Sequence, residues 1–370
     1  MEHQVKYKTF TYSGAEAQTA LFEYGRKEVH CIISPNQGLM FADQLDAVLT
    51  AERHLEKYFG MTTVFKRYFL SDAANQASLL PSEEKCPVSR IQQPPLNGSK
   101  VALWVVMEQD ADFQRADDGV WEDSRGRIIL GDLDCEGENS REETVGCLER
   151  LAGAMASRGG SLAENCMRTW FMVHDVDRNY AGVVRGRNEV FAREGLNEHF
   201  IASTGIGGSP VDGSVVAFNA IADMTLRPGQ MTYIKGASHL NPTIEYGVAF
   251  ERATAVDYYD RRHVYVSGTA SIDNKGQVVW PGDVARQTAR MIENIEVLLA
   301  EAGCDKGDIM HLLVYLRDIA DYDIVNEMFN ELLPGIPRVI VLAPVCRPAW
   351  LIETECIAVR RASNPEYAEY

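Results

Sequence analysis

The chain predicts an α+β fold made of three tandem units, each about the size of a small domain. Two observations carry this. First, one order of elements recurs three times: hairpin, helix, strand, second helix or its remnant, strand, strand. Second, the text rhymes at matching places. TVFKRYFLSDA, MRTWFMVHDVDRNY and HLLVYLRDIADY each close a strand with an aromatic residue and then an Asp. Repeats this long are not solenoid modules, because each can cover a sheet face with its own helices. The units divide as 1–107, 108–250 and 251–370.

In the first unit, short strands over 9–12 and 29–33 precede the SPNQG turn. An amphipathic helix covers 43–59, with Leu45, Val48, Leu49, Leu55 and Tyr58 near a 3.6-residue period, and Gly60 ends it. TTVFKRYFL, rich in β-branched and aromatic residues, is a strand over 62–70. Residues 81–99 read as loop, and KVALWVVM at 100–107 as a strong strand. The second unit opens with an acidic hairpin over 108–142, one arm being 126–130. A helix over 143–157, a strand over 166–173, a helix over 178–193, a turn at IASTGIGG (201–208) and a strand over 214–222 follow. The third begins with a hairpin, 263–272 and 277–280, around Asp-Asn-Lys-Gly. A helix over 284–302, a strand over 309–316, a helix over 322–333 and strands over 339–343 and 350–359 complete it.

Composition narrows the function. The 370 residues carry a net charge of −17 with no basic run, which argues against nucleic acid, since phosphate binding relies on clustered Lys and Arg. The N-terminal stretch has no apolar core of a signal peptide, and no 18-residue apolar run occurs, so neither export nor a membrane partner is predicted. The eight cysteines include no CxxC pair. Cys31, Cys166 and Cys356 lie in apolar runs, which suggests buried thiols in a reducing, cytoplasmic setting. The eight histidines lack HxH or HxxxH spacing, so no metal site and no cofactor are predicted.

The stretch IPRVIVLAPVCRPAWLIETECIAV, residues 336–359, concentrates the chemistry. Glu353 sits within a run that is otherwise strand-like and apolar, where a carboxylate is costly unless paired or chemically employed. Arg338 heads one apolar run and Arg347 lies in a Pro-rich turn. Two arginines within one fold-back of a buried Glu suggest a site for a small anion.

The third unit resembles the RidA/YjgF/UK114 (endoribonuclease L-PSP-like) superfamily over about residues 258–361. The match rests on Ser267-Gly268, Tyr315-Leu316-Arg317-Asp318-Ile319, Val325-Asn326, Pro337-Arg338 and Ile352-Glu353-Thr354-Glu355, in order and near register. The middle unit is similar to the chorismatase group of that superfamily. Met167-Arg168-Thr169-Trp170, Tyr180, Arg187 and the AlaSerThrGlyIle run at 202–206 carry that likeness, as does Cys346-Arg347-Pro348 ahead of the final Glu.

The resemblance implies a fold. The family's units close as trimers around a β-barrel-like centre with sites at the interfaces, so one chain with three units implies a monomeric pseudo-trimer. It also implies roles. Glu353 would be the catalytic acid–base group. Arg338 would grip a carboxylate, with Arg347 or Arg168 holding a second. Ser267 and Gly268 would offer donors to a polarised oxygen, and Asn326 falls at a pocket position. Against each stands a plainer reading: an ion pair for Arg338 and for Glu353, a surface ion pair for Arg168, a loop residue for Arg347, a turn for Ser267 and Gly268, a helix start for Asn326. The matching places lack both the Arg and the Glu in unit two and the Glu in unit one, so one working site is expected. The implied activity is hydrolysis of an unsaturated carboxylate, chorismate itself included, with pyruvate release. The alternatives are deamination of 2-imino or enamino acids and simple metabolite binding.

Overall fold

The computed structural model describes residues 5–133 and 136–370. The expected hairpin over 108–142 therefore includes two residues, 134–135, outside those described.

Three sheets form, one per unit. In the first, β1 (Val5–Tyr12), β2 (Ala15–Phe22), β3 (Glu28–Pro35), β4 (Thr62–Leu70), β5 (Val88–Gln92) and β6 (Val101–Glu108) order as β1-β2-β3-β6-β4-β5. The helix α1 (Phe41–Phe59) lies against one face, burying Leu45, Val48 and Leu55. In the second, β7 (Arg127–Leu133), β8 (Cys166–Val173), β9 (Ala202–Gly207) and β10 (Val216–Asp223) order as β9-β8-β10-β7, under α2 (Ser140–Ala156) and α3 (Val176–Arg193). In the third, β11 (Met231–Ile234), β12 (Ala253–Asp257), β13 (Arg261–Ala270), β14 (Ile309–Leu316), β15 (Arg338–Leu342) and β16 (Ile352–Arg361) order as β11-β12-β13-β16-β14-β15. Here α4 (Val284–Glu301) and α5 (Tyr322–Leu332) are the helices.

Each unit thus places its last strand at the centre, antiparallel to the strand after its first helix, with a parallel strand at the edge. The sheet faces away from the helices converge on a shared core. Trp104 of unit one stacks edge-on with Trp170 of unit two at 6.0 Å and on His311 of unit three at 4.3 Å. The expected three-unit α+β pseudo-trimer is what forms.

The register gives a residue-by-residue equivalence. Glu353 pairs with Tyr315, Ala217 with Met172 and Ala102 with Phe69, each one step in from the end of its ladder. Arg338, Ser203 and Val88 likewise occupy one position on the three edge strands.

Backbone contacts close the seams between units. Pro210 pairs with Ile91 across units two and one. Gly207 N–H donates to the Pro344 carbonyl at 2.9 Å across units two and three. Leu342 N–H donates to the Pro94 carbonyl at 2.8 Å across units three and one.

Four expectations are corrected. IASTGIGG contains the strand β9, not a turn. Its glycines answer close neighbours: a Cβ on Gly205 would lie 2.6 Å from the Tyr180 ring, and one on Gly207 would lie 2.7 Å from the Pro344 carbonyl oxygen. The loop-rich 81–99 segment contains β5, unit one's parallel edge strand. The Asp-Asn-Lys-Gly turn forms, with the Asp273 carboxylate accepting from Lys275 and Gln277 N–H. Its second arm does not join the sheet, however, because β13 pairs upstream with β12. Cys31, Cys166 and Cys356 are buried free thiols, whereas Cys147 is disulfide-bonded, so reduced thiols throughout were too simple an expectation. Among the described residues no helix is long and apolar enough to cross a membrane, and no His, Cys, Asp and Glu cluster is arranged to hold a metal ion.

Candidate active site

The seam between units two and three holds an acid in a cationic cleft. Strand β16 carries Glu353 into it opposite Ala270 of β13. Its carboxyl is 3 % exposed, and among the described residues no hydrogen-bond donor or cation contacts it. Gly268 makes room for it: a Cβ there would fall 2.0 Å from Glu353 Oε1. Burial first, then the negative charge of Glu355, push its pKa up to about 8, while Arg168 and Arg252 pull the other way. Its surroundings therefore favour the protonated form.

The walls come from both units. From unit two, α3 supplies Tyr180 and Arg187, and β9 supplies Ser203 and Gly205. From the segment that joins units two and three come Tyr246, Phe250 and Arg252, and from unit three Cys346, Arg347 and Trp350. Arg187 is 1 % exposed, and among the described residues Nη1 has one partner, the Ser203 hydroxyl at 3.5 Å, while Nε and Nη2 have none. Arg252 is anchored to the Asn241 carbonyl at 3.0 Å, and burial lowers its pKa. Arg347, exposed at the mouth, lies over the Tyr246 and Trp350 rings at 5.0 and 5.3 Å. None of these three guanidiniums makes an ion pair among the described residues. The space left free is small, about 30 Å³, roughly that of one water.

The residues singled out in the sequence divide between three places. Glu353, Gly268 and Arg347 share this cleft. Arg168 and Ser267 lie behind it, fully buried and already partnered. Arg168 pairs with Glu355 at 2.6 Å. The Ser267 hydroxyl donates to the Glu251 carbonyl at 2.6 Å and accepts from Ser203 N–H at 2.8 Å. Arg338 and Asn326 line a different cleft, at the seam of units three and one, with Gln18, Ser34, Asn97 and Tyr322. Arg338 does not meet Glu353, because β14 lies between their strands and the two side chains serve opposite seams. The third seam, between units one and two, is closed: a Cβ on Gly131 would lie 2.2 Å from the Val88 carbonyl oxygen, and Arg90 pairs with Asp132 at 3.0 Å.

Arg187, Arg252, Tyr246 and Phe250 were not among the expected site residues. Arg187 was legible as an Arg on an otherwise buried helix face. Tyr246, Phe250 and Arg252 lie between two units in the sequence, where nothing marks a site.

Comparison with known proteins agrees with this architecture. The profile of the Endoribonuclease L-PSP family matches residues 250–360. The same region is 35 % identical over 99 residues to a RutC family protein of Pyrococcus abyssi, covering 26 % of this chain and 78 % of that protein. It is 36 % identical over 97 residues to the 3-aminoacrylate deaminase RutC of Acinetobacter baylyi, covering 26 % and 77 %. This chain belongs to the RidA/YjgF/UK114 (endoribonuclease L-PSP) superfamily. Within the superfamily it has a chorismatase-like fold. A chorismatase crystal structure at 1.08 Å resolution superposes with a TM-score of 0.65 at 19 % identity, covering 80 % of this chain and 93 % of that one. As a superfamily member, the chain carries its RutC-like unit last and two diverged units before it.

Proposed function

We propose that the protein is a hydrolase of a small unsaturated dicarboxylate and that chorismate, or a close enol ether, is its substrate. One observation carries the reading. Glu353 is a buried acid that has no partner among the described residues, its burial favouring the protonated form, and it faces a cleft whose guanidiniums, Arg187, Arg252 and Arg347, have no counter-ions among those residues. Unpaired buried cations are costly, so a site that holds two, Arg187 and Arg252, with a third at its mouth, suits a ligand that brings the anions. The chorismatase-like fold supports the same reading.

In the proposed reaction Glu353 delivers its proton to the vinyl methylene carbon. The ether oxygen stabilises the resulting oxocarbenium ion. Water adds to that centre and gives its proton back to Glu353, which restores the acid. The hemiketal then collapses to pyruvate and the free ring alcohol. Arg187 and Arg252 hold one carboxylate on the inner side, and Arg347 closes over the other at the mouth. The acid must be charged with a proton at working pH, and the apolar setting of Glu353 achieves that. One chain supplies both walls, so the proposed reaction needs no second copy.

A second reading has its own support in the RutC relatives: hydrolysis of an enamino acid to a 2-oxo acid and ammonia. In that reading Glu353 orients the attacking water, and one carboxylate would suffice. Purified protein is given chorismate with a coupled pyruvate assay, and in parallel an enamino acid generated in situ with an ammonia assay. Pyruvate without ammonia chemistry supports the first, and the reverse supports the second. Failure of both, with a carboxylate still raising thermal stability, would make the cleft a binding site only.

A further inference from the structure

A second carboxyl, Glu355, lies two residues along the same face of β16 and one layer deeper. It is 2 % exposed and fully engaged. Arg168 Nη2 donates to it at 2.6 Å and Trp170 Nε1 at 2.7 Å. The Thr204 hydroxyl also donates to it. The same Thr204 oxygen accepts Gly268 N–H at 2.9 Å, and the Thr204 methyl would sit 3.1 Å from a Cβ on Gly268. Gly268 is the residue against which the Glu353 carboxyl rests. A continuous relay therefore runs from Glu355 through Thr204 to the backbone that cradles the acid.

The electrostatic surroundings of Glu353 give Glu355 a second part. From its own strand it faces Glu355, from β8 Arg168 and from β14 Tyr315. Across the cleft lie Tyr180 and Arg187 of unit two. Tyr246 and Arg252, and then Cys346 and Arg347, complete the enclosure. Burial holds Tyr180 and Tyr246 neutral and pushes the Cys346 thiol up to about 12. The cations all favour the ionised form of Glu353, and Glu355 is the anion that opposes them. Were Glu355 neutral, Arg168 would be an uncompensated buried charge directed at the acid.

We propose that Glu355 is the positioning residue of this site: through Thr204 it fixes the Gly268 backbone, and as a buried anion it keeps Glu353 in its proton-donating form. The proposal rests on the reading of Glu353 as an acid, but it can be tested without substrate.

The carboxyl of Glu353 is titrated in the whole protein by infrared difference spectroscopy, its band assigned by its loss in Glu353→Gln. In Glu355→Gln the midpoint is expected to fall by at least about one pH unit, and Glu355→Asp is expected to restore it in part. The alkaline limb of kcat/KM should move by the same amount. An unmoved midpoint in a folded Glu355→Gln protein overturns the proposal. Should that variant not fold, Thr204→Val keeps both charges and cuts the relay, together with the bond that Arg168 Nη2 donates to the same hydroxyl. It is expected to lower kcat by about ten-fold with little change in KM, and a wild-type kcat overturns the positioning role. Absence of pyruvate release from chorismate, with the Glu353 midpoint still shifting, would overturn the substrate assignment and leave this inference standing.

Discussion

Gly268 and Glu353 are built around each other: a Cβ on Gly268 would sit 2.0 Å from Glu353 Oε1. The glycine is there for space, since its φ is not in the left-handed region. Gly268→Ala therefore forces the carboxyl, the far end of a flexible side chain, to swing out of place. The expected outcome is a folded protein destabilised by about 1 kcal/mol, with turnover reduced roughly a hundred-fold. Thermal unfolding and steady-state kinetics on the same preparation check this; normal turnover would show that the acid's position is unimportant.

Arg187 should trade stability against binding. Its guanidinium is buried with Nε and Nη2 unpartnered, so Arg187→Met removes a desolvated charge while keeping most of the volume. Melting temperature is expected to rise or hold, because replacing an unpaired buried charge with an apolar group is neutral or stabilising. KM for a dicarboxylate is expected to rise by about ten-fold or more. A loss of stability with unchanged KM would instead mark Arg187 as structural.

The pH dependence has a definite sign. The Glu353 carboxyl is pushed from its ordinary 4.5 up to about 8, chiefly by burial. Between those values the folded state holds a proton that the unfolded chain has released, so stability falls as pH rises through this window. An acid that must donate its proton also fails as pH rises past about 8. The alkaline limb of the rate profile is expected near that value, and Glu353→Gln should gain stability over wild type as pH is raised across the window. Unfolding curves at several pH values check the second point; a constant difference would contradict it.

Arg338 provides a negative control that the sequence alone would have placed wrongly. It lines the seam between units three and one, with Asn326 and Gln18. Arg338→Ala is expected to leave kcat/KM at the Glu353 cleft within about two-fold. A large loss, measured with the same substrate, would mean that the two seams communicate.

How much of this the sequence disclosed depends on the kind of interaction. The three units were legible because hydrophobic period and turn chemistry are local. Glu353 was legible because a carboxylate in an apolar strand needs a reason. Its separation from Arg338 was not, since nearness along the chain is a poor guide once strands cross. β16 and β15 are separated by β14, about 10 Å at ordinary strand spacing. The cation at that position of the acid's own seam would come from unit two, where β9 has Ser203, and α3 supplies Arg187 from above it. β9 itself was hidden because its glycines and serines answer tertiary neighbours, which no local propensity encodes.

The central claim is that Glu353 hands its proton to a vinyl carbon. Chorismate turnover in deuterium oxide, with the pyruvate trapped at once as lactate, tests it directly. The account predicts one deuterium in the methyl group from the wild-type protein and at most a trace of product from Glu353→Gln. Product formed by Glu353→Gln at the wild-type rate, or a methyl group without deuterium, would contradict it.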